Sequence, residues 1–321
     1  MQKLVTEQPP QYPTFPINLN IALEELYTYR KVDSFYFNGQ TDFENELCDY
    51  LGVKHCFVTN SGHSSVLITL MAAGVGEGDE VITTPISWGQ TLSPILQLGA
   101  TPVFADIDPD TFQISYENIC KVTTAKTKAV LVVNLYGASP NLQAIKDYCT
   151  SKNIILIEDS AQSMGLLYGN QYTGTIGDMG AFSFNSGKLL AIGGAGAVVS
   201  NNSDLFDKMI YHGSKAAHKR KALTNKPYDN DGLDYTFLCH PILQEMGREQ
   251  LKILKQLNDN RIENMRYFRD LLKDIKGIKL QKVEDNSSLP AYMFSFVNEM
   301  PISIEKLIQL FKQVGIPIFR Y

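Results

Sequence analysis

Asn153-Ile-Ile-Leu-Ile-Glu-Asp159 and Gly180-Ala-Phe-Ser-Phe-Asn-Ser-Gly-Lys188 are the two stretches on which the reading of this chain turns. Each contains a short apolar run with the length of a buried strand. The first closes on a carboxylate, and the second is followed by an amine. This pair suits pyridoxal phosphate (PLP): a lysine amine forms a Schiff base with the aldehyde, and a carboxylate keeps the pyridine nitrogen protonated so that the ring can withdraw electrons. Lys188 and Asp159 are therefore the candidate catalytic residues.

A phosphate group needs its own anchor. Asn60-Ser-Gly-His-Ser-Ser65 follows the apolar run Cys56-Phe-Val-Thr59 and opens the helical pattern Val66-Leu-Ile-Thr-Leu-Met-Ala-Ala73. Free backbone N–H groups and the positive helix end converge there on Gly62 and His63. Ser183, five residues before Lys188, offers a hydroxyl to the same anion. Trp88, the one tryptophan, follows Glu80-Val-Ile-Thr-Thr-Pro85 and offers a flat indole to the pyridine face.

Strand-like runs recur at residues 81–84, 102–105, 129–134, 154–158, 181–184 and 197–200, with helical patterns at 64–73, 91–98 and 142–151. This alternation predicts an α/β fold with a mostly parallel sheet wrapped by helices. Ligands of such sheets bind beyond the carboxyl ends of the strands, where both Asp159 and Trp88 fall.

With 321 residues and 44% hydrophobic content, the chain can bury a large core and has room for a second, smaller domain. A net charge of -5 gives no footprint for nucleic acid. Cys48, Cys56, Cys120, Cys149 and Cys239 are odd in number and scattered, which predicts neither a disulfide framework nor a metal site. No run reaches the length of a membrane span, so a soluble, cytoplasmic protein without membrane partners is expected.

Phe43-Glu-Asn-Glu-Leu47, Gly78-Asp-Glu-Val-Ile82, Gly99-Ala-Thr-Pro-Val-Phe-Ala-Asp-Ile-Asp-Pro109, Ile157-Glu-Asp-Ser-Ala-Gln162 and Phe182-Ser-Phe-Asn-Ser-Gly-Lys188 closely resemble the DegT/DnrJ/StrS family of PLP-dependent aminotransferases. The resemblance implies fold type I, the aspartate-aminotransferase type. In it, a seven-stranded, mostly parallel sheet forms a large domain, here residues 1–240. A connecting helix from about Ile242 to Leu272 leads into a small C-terminal domain, here 241–321 and shortened. It implies transfer of an amino group from an amino acid, glutamate or glutamine, to a keto sugar, often nucleotide-linked, or to a keto cyclitol. It makes Lys188 the Schiff-base lysine, Asp159 the pyridinium partner, and Gln162 a hydrogen-bonding contact to the ring face or its phenolic oxygen. Gly62, His63 and Ser183 fall at the family's phosphate positions, with His63 in place of the usual threonine, and Trp88 falls at the stacking position. The family's habit of completing each site across a two-fold axis implies a homodimer.

Two departures stand out. Thr236-Phe-Leu238 replaces a motif that ends in a cation, and Gly193-Gly-Ala-Gly196 replaces a Gly-Glu-Gly-Gly. The latter lacks dinucleotide-binding spacing and reads as a tight turn. Between Gly213 and Gly232, Lys215, Lys219, Arg220, Lys221 and Lys226 mark a solvated loop or a basic flap over an anionic ligand. Two alternatives stay open: a PLP-dependent lyase, dehydratase or decarboxylase, and a catalytically silent PLP-binding homologue.

Overall fold

The computed structural model describes residues 41–213 and 235–320. Elements α1 (Asp42–Leu51), β1 (His55–Thr59) and α2 (Gly62–Ala72) open this part. β2 (Glu80–Thr83), α3 (Gly89–Gln97), β3 (Thr101–Phe104), α4 (Tyr116–Val122), β4 (Thr127–Val133), α5 (Leu142–Lys152) and β5 (Ile155–Asp159) alternate after them. The small strands β6 (Leu167–Tyr168) and β7 (Gln171–Tyr172) form a hairpin before β8 (Met179–Ser183), β9 (Gly196–Ser200) and α6 (Ser203–Gly213).

Seven strands form one sheet in the order β1-β9-β8-β5-β4-β2-β3. The pairs from β3 through β8 are parallel, whereas β9 runs antiparallel to both β8 and β1. This is the predicted mostly parallel α/β sheet. The strands read as continuous apolar runs because both faces are covered. Ala129 and Leu131 of β4 join Ile157, Met179 and Val198 under α2 and α6. Val130 and Val132 point the other way, with Leu156, against Ile119, Leu142, Ile145 and Cys149 of α4 and α5.

α2 is apolar nearly all round, with Val66, Leu67, Ile68 and Leu70 buried. Such a helix has no solvent face, and here it contacts β8 and β9 while α3 and α6 flank it. Ser61 caps it by accepting from Ser64 N–H, which leaves the Gly62 and His63 amides free of intrahelical partners.

α7 (Pro241–Leu272) is the connecting helix of the sequence reading. Pro241 stands in its first turn, where the missing N–H costs nothing. Gln244, Gly247, Gln250, Leu251 and Leu254 of its first half are buried, and Leu251 and Leu254 share a core with Phe43 and Leu47 of α1. Gly247 lets the two helices approach: a Cβ there would meet Phe43 Cζ at 2.4 Å. Beyond α7, β10 (Ile278–Leu280) and β11 (Phe296–Asn298) pair antiparallel in their own sheet, followed by α8 (Ile304–Gln313). The basic residues between Lys215 and Lys226 lie outside the described residues.

Candidate active site

Asp159 ends β5, where the parallel sheet delivers its strand ends to one rim. The residue is 5% exposed, and its carboxylate is held from two sides. Thr91 Oγ1 donates to Oδ2 at 2.7 Å, and Ala161 N–H donates to Oδ1 at 3.1 Å. Ser87 Oγ, 2.7 Å from Thr91 Oγ1, donates in turn to that hydroxyl. Burial raises the Asp159 pKa from its ordinary value, and the two hydrogen bonds and Lys188 oppose the rise. A carboxylate so placed gains from a cation brought against it.

Lys188 follows β8 in a turn in which its own N–H donates to Asn185 O at 2.9 Å. Burial lowers the pKa of its amine, and Asp159 acts in the opposite sense. The two groups influence each other without forming an ion pair among the described residues. An amine poised toward the neutral form is a nucleophile, and space between amine and carboxylate is what an intervening pyridine ring requires.

The candidate phosphate anchor is assembled from two distant segments. Thr59 pairs with Gly196, and Gly196 pairs with Ser183, so that one glycine bridges the ends of β1 and β8. A Cβ on Gly196 would lie 2.6 Å from both Ser61 O and Phe182 O, which fixes glycine there. Gly193, with φ +94, supplies the preceding turn, in agreement with the tight-turn reading. Gly62 sits directly on Ser183, since a Cβ on Gly62 would meet Ser183 Cβ at 2.5 Å and Oγ at 2.9 Å. The result is a shallow cradle with two free N–H groups, a hydroxyl and a helix N-terminus, which fits a phosphate dianion. Gly62→Ala should fill that cradle, costing about 1–3 kcal/mol of stability through overpacking and loosening PLP. Denaturant unfolding and PLP retention on gel filtration check it, and unchanged values in both would remove the cradle from the account.

His63 turns its ring away from the cradle. Nε2 lies 3.1 Å from Gln97 Oε1, and Nδ1 lies 3.4 Å from Ser93 Oγ, both on α3. The side chain thus ties α2 to α3, while its backbone amide still faces the anchor position. Trp88 is the N-cap residue of α3 and is 62% exposed, so the fold does not use its indole as core. Trp88→Ala should leave the stability of the cofactor-free protein within about 0.5 kcal/mol. PLP binding should weaken by about 0.5–1.5 kcal/mol, readable as a rise in Kd.

Gln162 is buried, and its Oε1 accepts from Tyr136 N–H at 2.7 Å. That fixes the amide and leaves Nε2 without a described partner, as a donor for a ring substituent. Glu158, next to Asp159, is no candidate although it is a fully buried carboxylate. It accepts from Gly174, Ile176 and Gly177 N–H and from Asn134 Nδ2, and so serves the backbone. Leu238 bridges to Thr59 just upstream of the cradle, and its side chain packs with the core under α2 and α6. Among the described residues no group of His, Cys, Asp or Glu is arranged to hold a metal.

Sequence reasoning missed Thr91 and Tyr292. Thr91 lay one helical turn after Trp88, a spacing that could have marked it. Tyr292, whose ring lies 4.9 Å from Lys188 Nζ, carried no local signal because it comes from beyond α7.

Comparison with known proteins agrees with this geometry. GDP-perosamine synthase of Vibrio cholerae is 28% identical over 256 residues, 79% of this chain and 68% of its own length. Spore coat polysaccharide biosynthesis protein SpsC of Bacillus subtilis (strain 168) is 33% identical over 249 residues, 76% of this chain and 64% of its own. The match to these curated relatives therefore spans about two thirds of their length. The X-ray structure of an aminotransferase from Psychrobacter cryohalolentis superposes with a TM-score of 0.86 at 27% identity, covering 98% of this chain and 84% of that one. Residues 28–320 match a single family description, and with it the chain belongs to the DegT/DnrJ/EryC1/StrS aminotransferase family, whose members depend on PLP.

Proposed function

We propose that this protein is a PLP-dependent aminotransferase that moves an amino group from an amino acid, glutamate or glutamine, to a keto sugar or keto cyclitol. The observation that carries the reading is the convergence of Lys188, Asp159 and the Gly62–Ser183 cradle on one rim of the sheet. The sugar and cyclitol classes come from relatives: besides the perosamine synthases, L-glutamine:2-deoxy-scyllo-inosose aminotransferase of Streptomyces kanamyceticus is 30% identical over 283 residues, 85% of this chain and 64% of its own length.

When bound, PLP supplies the aldehyde and the electron-withdrawing ring. The rest is assigned to this chain. Gly62 and His63 N–H and the Ser183 hydroxyl would hold the phosphate, and Trp88 would cover the ring. Asp159, oriented by Thr91, would hold the proton at the pyridine nitrogen, and Gln162 Nε2 would donate to the ring's oxygen substituent. The Lys188 amine would attach the group and would carry a proton to and from the reacting substrate carbon.

Three further parts of the reading rest on the family and on the chain's organisation. We assign residues 1–240 to a large domain and 241–321 to the connecting helix and a small domain. We assign a homodimer with sites near its interface, checked by light scattering at assay concentration; a fully active monomer would defeat it. We assign a cytoplasmic location, in keeping with scattered cysteines and with no described helix long and apolar enough to cross a membrane.

A second reading, a dehydratase on the same fold, has one observation in its favour. The structure of a GDP-4-keto-6-deoxymannose-3-dehydratase with a trapped PLP-glutamate geminal diamine superposes with a TM-score of 0.82 at 25% identity, covering 95% of this chain and 84% of that one. Lys188 weighs against it, since sugar dehydratases that resemble this family carry a histidine at that place. Loading the protein with PLP, adding glutamate or glutamine, and following the cofactor's absorbance through a stoichiometric half-reaction tests the first reading. Amino transfer to keto sugars or cyclitols supports it. Loss of water from the sugar without a change in its nitrogen content selects the second.

A further inference from the structure

Lys188 Nζ is largely buried and makes no hydrogen bond to a described residue. Its close neighbour is an aromatic ring, that of Tyr292, at 4.9 Å from the amine to the ring centroid. That ring is delivered by a strap, residues 290–293, which runs back from beyond α7 onto the large sheet. Ala291 is buried at 3% exposure, and its N–H lies 3.1 Å from where a Cβ on Gly137 would stand, so Gly137 is kept bare for the strap. Tyr292 N–H and Met293 N–H both donate to Tyr136 O at 3.3 Å. Tyr136 is a buried, bulky residue in the left-handed region at φ 61 and ψ 3, a conformation kept only where the surroundings over-determine it. Its own N–H is held by Gln162 Oε1.

We infer that Tyr292 is a positioning residue for Lys188: the strap locks onto Tyr136 and presents the face of the ring to the amine as its site of rest. The inference rests on Lys188 being the PLP-linked lysine. A ring face attracts an ammonium without taking up its proton, so Tyr292 steadies the charged amine where no described residue accepts a hydrogen bond from it. Among the described residues Asp159 is the charged group that acts on the same amine, and burial pulls its pKa the other way. The hydroxyl of Tyr292 is not needed for this role. The part of the chain beyond α7 thus contributes to the chemistry of the large sheet through one side chain.

The test uses the full chain before PLP is added. Trace labelling with acetic anhydride across a pH series, followed by peptide mapping, gives the titration midpoint of Lys188. Tyr292→Leu should lower that midpoint by about half a unit to one unit, and Tyr292→Phe should leave it where the wild type has it. An unchanged midpoint in a folded Tyr292→Leu protein, or a Tyr292→Phe midpoint that falls with it, overturns the inference. Should Tyr292→Leu fail to fold, wild-type protein labelled at lysine Cε decides by NMR. The signal lost in Lys188→Arg should stand upfield of the exposed lysines through the ring current, and a position among them overturns the inference. Borohydride reduction of the PLP-loaded chain reads the underlying assignment separately, since it asks only whether Lys188 carries the cofactor.

Discussion

Lys188→Ala should lower the rate of amino transfer by about 100- to 10,000-fold, the range typical for loss of a positioned proton-transfer group. Borohydride reduction of the PLP-loaded variant should leave no cofactor on the peptide containing residue 188. Excess PLP should not restore the rate, because the variant still has the cradle, Trp88 and Asp159 to bind it but no amine to move the proton. Turnover within tenfold of the wild type would end the assignment. Lys188→Met has a second, opposite signature in the cofactor-free protein. Burial lowers the folded-state pKa below the ordinary 10.5, so between those two values the unfolded chain binds more protons and stability rises with pH. The buried amine is thus most costly below its folded pKa. The methionine variant should be more stable than wild type at neutral pH, and its advantage should shrink as pH rises toward 10.5. Thermal unfolding across that range checks the sign.

Asp159→Asn should leave the fold intact and lower turnover by about 100- to 1,000-fold, the loss seen when one preorganised charge-stabilising contact is removed. The amide oxygen can still accept from Ala161 N–H while its NH2 donates to the Thr91 hydroxyl, which is free to rotate, but the amide has no charge to hold a pyridinium proton. Because burial alone pushes the Asp159 carboxyl up, the neutral variant should not be less stable than wild type by more than about 1 kcal/mol without PLP. Near-normal turnover with saturating PLP would contradict the assigned role. Large unfolding of the cofactor-free variant would show instead that Asp159 serves the fold.

The strands of the large sheet were legible because burial on both faces writes apolar runs of strand length, as in residues 129–134 and 154–158, and their ends fell within a residue or two. Lys188 and Asp159 could be named for a chemical reason, as an amine a few residues past one strand and a carboxylate at the end of the strand beside it in the sheet. The cradle was half legible: Gly62 and Ser183 could each be named, but their contact depends on sheet order, which no local pattern encodes. Trp88 stood out as the single tryptophan, whereas Thr91 looked like any helix residue, and its donation to Asp159 is set by packing. Tyr292 was illegible because nothing in Pro290-Ala-Tyr-Met-Phe294 says which strand end it returns to. His63 was named for its backbone, and its ring contacts to Ser93 and Gln97 depend on how two helices cross. Gln162 was named as a hydrogen-bonding contact to the ring face or its phenolic oxygen, but sequence could not say that half its amide is committed to Tyr136.

β1 lies at the edge of the sheet, and its partner is β9, more than a hundred residues later in the chain. Pairing of this kind is a long-range event, and it sets the order of assembly. During synthesis the segment that ends in Gly62 emerges early, yet β1 has no partner strand until Gly196–Ser200 follows. The anion site therefore cannot exist on a nascent chain shorter than about two hundred residues, whatever the cofactor concentration. Once it exists, ligand adds its binding free energy to the folded state alone. PLP should accordingly act as a late clasp on the fold, tying the segment after β1 to Ser183 at the end of β8.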